Sequence, residues 1–272
     1  MVLYFTMNKM VVTTTKLDQK TLDKLISGKI LVIRVPNFVS DKLCARLSTH
    51  FLKHHEIRNY GHEIYVNGKK KVLFYGVKRI GYPFNLTYGK SSNDPIKKEY
   101  YVRALDGIRE LRKVSAPFPS PIDKLRLELD ELWKDGANIA RFENKMMLVG
   151  MGRVINHEDI QDDESPHVDS LPPKIDLDGR FSGIIYLKVP PVGGELEVWN
   201  QFPNLSKKEK ENYKFNWREK LVSPTVIRPK AGELVLINTL LPHAVKSFPN
   251  GNRVAVQSFI GYKKNKPLQL WS

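Results

Sequence analysis

Four runs decide the fold: GRFSGIIYLKV (179–189), GGELEVWN (193–200), GELVLIN (232–238) and RVAVQSFIGY (253–262). Each is short, rich in β-branched and aromatic residues, and closed off by Gly, Pro or Asn, as strands joined by tight turns are. The same texture reaches back through MLVGMGRVINH (147–157) to IARFENK (139–145), and takes in TVIRP (225–229). From Asn138 onward the chain reads as a β-sandwich or barrel.

Upstream the period changes. Residues 29–39, KILVIRVPNFV, read as a short β run, and Ser40-Asp41 cap the apolar-periodic stretch that follows as a helix. Two β-like stretches, 63–66 and 71–77, flank the hairpin dipeptide Asn67-Gly68. Asp94-Pro95 opens a helix to about Val114, with Ile96, Tyr100, Ala104, Ile108 and Leu111 at helical spacing. Ser120-Pro121 opens another to Lys134. The expected class is mainly β with helical support (α+β). Residues 1–137 form a mostly helical support packed on a β core at 138–272, as one structural unit. An insert at 203–230 carries eight basic residues against three acidic ones, with Tyr213, Phe215 and Trp217 interleaved; it reads as a solvated amphipathic helix or, more sharply, as a lid.

Composition narrows the classes. The 272 residues carry 44 Lys and Arg against 29 Asp and Glu, a formal charge of +15 that favours an anionic partner without naming it. One cysteine, Cys44, excludes an intramolecular disulfide and makes a reducing cytoplasm the default; the thiol itself reads as a small buried hydrophobe. No run of about 18 apolar residues occurs, so no membrane span is expected. Repeats and low-complexity tracts are also absent, which sets aside solenoids and propellers.

The chemistry gathers in PHVDS, residues 166–170. In an extended strand His167 and Asp169 point the same way, about 6 to 7 Å apart at Cα, and can chelate one ion. A third ligand must come from elsewhere, and His243, just after the GELVLIN run, is the candidate. Two histidines and a carboxylate form the facial triad of non-haem Fe(II) oxygenases. His50, His54, His55 and His62 read as solvated or packed, and the acidic loop after His157 as a solvated connection without EF-hand spacing. Arg253, ten residues beyond His243, adds a fork that binds a carboxylate bidentately inside a barrel. Ser258 falls at an odd offset from it, on the other strand face.

With H-x-D, a distant His and an Arg ten residues on, the sequence resembles the Fe(II)/2-oxoglutarate-dependent oxygenases over roughly 138–262. The resemblance implies a double-stranded β-helix, a jelly-roll with the metal in its mouth. It makes His167, Asp169 and His243 the iron ligands, Arg253 the partner of the distal carboxylate of 2-oxoglutarate, and succinate and CO2 the co-products formed with O2. Arg153, on the strand before the metal motif, is a candidate for cosubstrate or substrate if strand register turns it inward. Finer texture, VPPVGGELEVWN and the closing LWS, is similar to the welwitindolinone-type alkaloid halogenases, whose triad has glycine in place of the carboxylate. Here Asp169 is present. The implied activity is hydroxylation of an unactivated C–H bond in a small molecule: an amino acid, a nucleotide-like metabolite or a natural-product intermediate. The alternatives are a nucleic-acid-directed demethylase or hydroxylase, motivated by the charge, and a non-catalytic metal-binding cupin-like module. Interspersed acids and the lack of a recognisable nucleic-acid module weigh against the first, Arg253 against the second.

Overall fold

A computed structural model describes residues 10–66, 69–88, 90–91, 93–149, 151–169, 175–212 and 215–272. Asn67-Gly68, Ser170 and Tyr213 lie outside these. In chain order the elements are β1 (Val11–Thr13), α1 (Gln19–Ile26), β2 (Val32–Val35), α2 (Asp41–Leu52), β3 (Arg58–Val66), β4 (Lys69–Ile80), α3 (Pro95–Ser115), α4 (Pro121–Leu132), β5 (Ala137–Ile139), β6 (Arg141–Phe142), β7 (Lys145–Met146) and β8 (Met151–Asn156). There follow β9 (Gly179–Lys188), β10 (Leu196–Val198), α5 (Lys207–Glu211), β11 (Thr225–Ile227), β12 (Leu234–Ile237), β13 (His243–Val245), β14 (Asn252–Tyr262) and β15 (Leu268–Trp271).

The helices begin where capping side chains were expected. Ser40 accepts from the Leu43 N–H, Asp94 from Ile96 and Ser120 from Asp123. Each bond meets one amide that the first turn leaves open, typically worth about 1 kcal/mol. Proline at the first position of α3 and α4 loses nothing there, having no N–H to satisfy. One residue departs from the expected stripe: Ile96 is exposed, whereas Lys97 is buried, its ammonium over the Phe142 ring and 3.4 Å from Glu143. The apolar face of α3 starts one turn later, at Tyr100.

A large sheet runs in the order β1-β2-β12-β9-β14-β8-β4-β3, with β15 paired to β14 and to β5. A small sheet runs β11-β10-β13. After β9, successive strands leave for the small sheet (β10, β11), return (β12), leave (β13) and return (β14). This alternation is the double-stranded β-helix. The strands β1 to β4 of the first 137 residues also join the large sheet: β2 pairs with β12 and β4 with β8. The helical support is therefore accompanied by a sheet extension.

Every residue of β12 is buried, and parity decides by what. Leu234 and Leu236 pack in one cluster with Leu22, Leu25, Leu43, Leu47, Leu125 and Leu129 of the helices. Val235 and Ile237 pack in another with Tyr186 and with Leu196, Val198 and Ile227 of the small sheet. Helices, large sheet and small sheet thus form three layers, and the large sheet is apolar on both faces. Leu236→Ala is expected to lower stability by about 2 to 5 kcal/mol by opening a void between α4 and the sheet, measurable by urea unfolding. Gly183 lies at that contact: a Cβ there would meet Leu125 Cδ2 at 2.8 Å, so the absent side chain lets the helix settle on β9.

Candidate metal centre

His243 opens β13 in the small sheet, and the segment at 167 lies antiparallel beside it. The His167 N–H donates to the His243 carbonyl at 3.0 Å and the His243 N–H donates back at 2.9 Å. Two residues on, the Asp169 N–H donates to the Thr239 carbonyl at 3.2 Å. The segment is a single bridge rather than the extended strand expected, yet the backbone bonds hold the two ligand positions on one side. The imidazole centroids are 4.6 Å apart, and His243 Nε2 is 3.7 Å from Asp169 Oδ2. One ligand atom from each of the three residues falls within 4.8 Å of the others.

Both rings are held for ligation. His243 Nδ1–H donates to the Leu241 carbonyl at 3.0 Å and His167 Nδ1–H to the Ser165 carbonyl at 3.3 Å. A carbonyl can only accept, so each ring keeps its free lone pair on Nε2. Burial holds the His243 imidazole below its ordinary pKa, against the opposing charge of Asp169. For Asp169, burial pushes upward, but His243, His167, Arg153 and Arg180 together outweigh it and hold the carboxyl below the usual range. Neutral histidine and ionised aspartate are the forms that a cation requires. Asp169 Oδ2 is sealed from solvent and has no hydrogen-bond partner among the described residues. A buried oxygen left open beside two imidazole lone pairs fits a divalent ion with mixed nitrogen and oxygen ligands.

The triad shares a cavity of about 710 Å³, open mouth included, with one face of β8 and β14. Arg253, Ala255 and Gln257 alternate along β14 into this space, and Arg153 and Ile155 do so along β8. Arg153 therefore faces inward. Ser258, at the odd offset, lies on the other side, its hydroxyl on the Phe259 and Trp271 carbonyls. Arg253 is 6% exposed; its Nη2 donates to Tyr186 Oη at 2.8 Å, and no carboxylate pairs with it among the described residues. A buried guanidinium without a counter-charge is costly, and a carboxylate ligand would supply one.

Two contributors were not visible in the sequence. Arg180, 3% exposed, donates through Nε to Thr239 Oγ1 at 3.1 Å and through Nη2 to the Asp169 carbonyl. It ties the loop bearing Asp169 to the turn before His243, but a lone arginine after Asp-Gly carries no signal of that role. Tyr186 could have been found, because it shares strand parity with Ile184, which lines the cavity.

Other readings change. The acidic loop is not merely solvated: Asp163 accepts from the Ser247 N–H and Glu164 from the Val245 N–H, both at 2.9 Å, fastening it to the strand that His243 begins. Among its described residues the basic insert holds one α-helix, the five-residue α5 closed by a Ser206/Glu209 capping box, a single 3-10 turn at Trp217–Glu219, and β11. Its Arg218 pairs with the buried Glu197 at 2.5 Å and donates to the Glu164 carbonyl at 3.1 Å, bracing the approach to His167. His50 and His54 converge on Glu110 Oε1, at 2.9 and 3.1 Å. There the His54 Nδ1 accepts from the Glu56 N–H, so the ring proton sits on Nε2 and is given to Glu110. That tautomer has no lone pair left for a metal, and the group is a packed hydrogen-bond cluster. Cys44 is buried, and burial pushes its thiol up to about 11, as fits an inert core residue.

Residues 153–261 match the sequence model of the 2OG-Fe(II) oxygenase superfamily. No curated protein matches the chain in sequence. Among solved structures, an oxidoreductase of the 2OG-Fe(II) oxygenase family from Burkholderia pseudomallei is 14% identical, over 91% of this chain and 93% of its own, with a TM-score of 0.46. An N-substituted L-amino acid dioxygenase from Burkholderia ambifaria is 12% identical over 79% and 100%, TM-score 0.44. A prolyl-4-hydroxylase from Pseudomonas putida is 13% identical over 85% and 92%, TM-score 0.42. None of these bears on the likeness to alkaloid halogenases. Among the described residues no helix is long and apolar enough to cross a membrane. The matched segment runs from Arg153 through both triad histidines, Asp169 and Arg253, so the part of the chain that carries the site is similar to the 2OG-Fe(II) oxygenase superfamily.

Proposed function

We propose that the protein is a dioxygenase using Fe(II) and 2-oxoglutarate that hydroxylates an unactivated C–H bond of a small molecule in the cytoplasm. His167, Asp169 and His243 hold the iron, and Arg253 receives the distal carboxylate of 2-oxoglutarate. In this reading 138–272 is the catalytic core and 1–137 its support. The observation that carries it is one cavity whose wall holds both a His-Asp-His donor set and a buried arginine, Arg253, with no carboxylate paired to it among the described residues. Bound iron, with 2-oxoglutarate and O2, supplies the oxidising power, and the protein supplies placement. Arg253 sets the end of the cosubstrate, with Tyr186 fixing the fork. Ile184, Leu196, Ile237 and Val245 line the cavity with hydrocarbon, which limits water around the reacting carbon.

The test is a panel of amino acids, nucleotides and natural-product intermediates scored for substrate-stimulated succinate under Fe(II), 2-oxoglutarate and O2. Product mass in chloride-containing buffer separates the outcomes. A gain of one oxygen is expected, because Asp169 occupies the position that a halide would need. Loss of two hydrogens would mean desaturation or ring closure, and dominant chlorination would overturn the role of Asp169. Stimulation by oligonucleotides alone, falling steeply with salt, would replace the small-molecule reading.

A further inference from the structure

The cavity has a second arginine that the cosubstrate does not account for. Arg153 lies opposite Ala255 in the β8–β14 register, while Arg253 lies opposite Ile155. The two arginines are thus diagonal neighbours on one face, about 7 to 8 Å apart at Cα. Opposite Arg153 the methyl of Ala255 leaves open space rather than a partner. On its other side β4 sets Arg79 directly against it. The Arg79 guanidinium is drawn off to the Gly81 carbonyl and the Tyr82 ring, so as a neighbour it offers Arg153 no neutralising partner.

No ion pair takes up the Arg153 charge among the described residues; Asp169 attracts it but is itself a member of the donor set. The Arg153 Nε is sealed from solvent and has no hydrogen-bond partner. Its guanidinium carbon sits 5.6 Å from the Tyr60 ring, a contact that orients the fork without neutralising it. Two carboxylates line the same cavity. Glu164 is turned to the Val245 N–H, and Asp169 belongs to the donor set. A divalent ion, Asp169, Glu164, Arg253, Arg180 and the two carboxylates of 2-oxoglutarate cancel in charge. Arg153 is left over, inside the cavity and unmatched.

We infer that Arg153 is the anchor for a carboxylate on the substrate, so that the enzyme acts on organic acids, with the oxidised carbon held at the distance between this arginine and the triad. The inference rests on the iron and 2-oxoglutarate reading above. It assigns the two arginines separate duties: Arg253 serves the cosubstrate and Arg153 sets substrate specificity. Neutral analogues of the same shape leave the sealed Arg153 Nε unpaired and are rejected, as sites built around a polar group reject ligands that lack its partner.

The experiment uses the full chain with Zn(II) in place of iron, 2-oxoglutarate bound and arginine side chains labelled with 15N. Acetate, phenylacetate and N-acetylglycine are titrated, each against its primary amide, and the Arg153 Nε–H resonance is followed; Arg153→Lys identifies it by its disappearance. Carboxylates are expected to move this resonance saturably and amides to leave it in place. In Arg153→Gln the carboxylate affinity, read by calorimetry, should fall about tenfold to a hundredfold, the loss of one charged hydrogen-bond partner. The 2-oxoglutarate affinity should change by less than about threefold, against a far larger loss in Arg253→Gln. Equal response to acids and amides, or no response to any carboxylate while 2-oxoglutarate and metal are bound, would overturn the inference. So would a loss of 2-oxoglutarate affinity in Arg153→Gln as large as in Arg253→Gln. Failure of 2-oxoglutarate or metal to bind the unmodified chain would instead sink the reading beneath it, and the same titration reports that first.

Discussion

A chain carrying His167→Ala and His243→Ala together is expected to lose stoichiometric Fe(II) binding under anaerobic conditions, while the unmodified chain binds about one ion. The effect should be large because removal of both imidazoles leaves Asp169 alone, and an isolated carboxylate does not hold a ferrous ion against water. Each single variant should weaken binding by at least about a hundredfold, beyond what loss of an outer-shell partner costs. Fold loss is separable from ligand loss. His243 and His167 are joined to each other through backbone atoms, which alanine preserves, so circular dichroism and urea midpoints should stay close to those of the parent. Retention of one ion per chain at unchanged affinity in the double variant would remove these residues from the metal site.

Arg253→Ala is expected to raise the 2-oxoglutarate requirement by roughly a hundredfold to several-thousandfold, with far less change in metal affinity. Breaking a buried charged pair costs about 3 to 5 kcal/mol, and each 1.4 kcal/mol is a factor of ten. Arg253→Lys should recover only part of this, since an ammonium cannot offer two parallel N–H donors and cannot keep the geometry with which the fork reaches Tyr186. Titration of 2-oxoglutarate by calorimetry and by succinate release checks both variants. An unchanged requirement in each would place the clamp elsewhere in the cavity, with Arg153 next.

Much of this architecture was legible because the signals are local. Strand runs closed by turn residues, Ser40, Asp94 and Ser120 as caps, and the H-x-D pair declare themselves within a few residues, and the distant His243 is marked by its place just after an apolar strand and ten residues before Arg253. Side-chain direction was legible only where a period could be counted, which is why Ser258 was separable from Arg253 whereas Arg153 was not until register with β14 was known. What escaped depends on distant pairing. Arg180 matters because its fork reaches Thr239, 59 residues away in sequence. Asp163 and Glu164 looked like solvated acids because they accept from the Ser247 and Val245 main-chain amides, just beyond and at the end of β13, and an amide carries no residue-specific mark. The insert looked helical by composition, but Phe215 and Trp217 are spaced by two, and among its described residues the helix is confined to Lys207–Glu211 and one 3-10 turn at Trp217–Glu219.

The alternating parity of β12 and its neighbours bears on how substrate scope can change. On β9, β12 and β14, positions 184, 235, 237 and 255 belong to the small-sheet side, and positions 185, 234, 236, 254 and 256 belong to the helix side. A directed-evolution library built on 184, 237 and 255 of the first set, which line the cavity, together with 153 and 257, would sample new active-site shapes while leaving the helical scaffold's packing intact. Randomising the second set would mostly generate unstable proteins with the parental selectivity. Two libraries of equal size, drawn from adjacent residues on the same three strands, should therefore return opposite phenotypes.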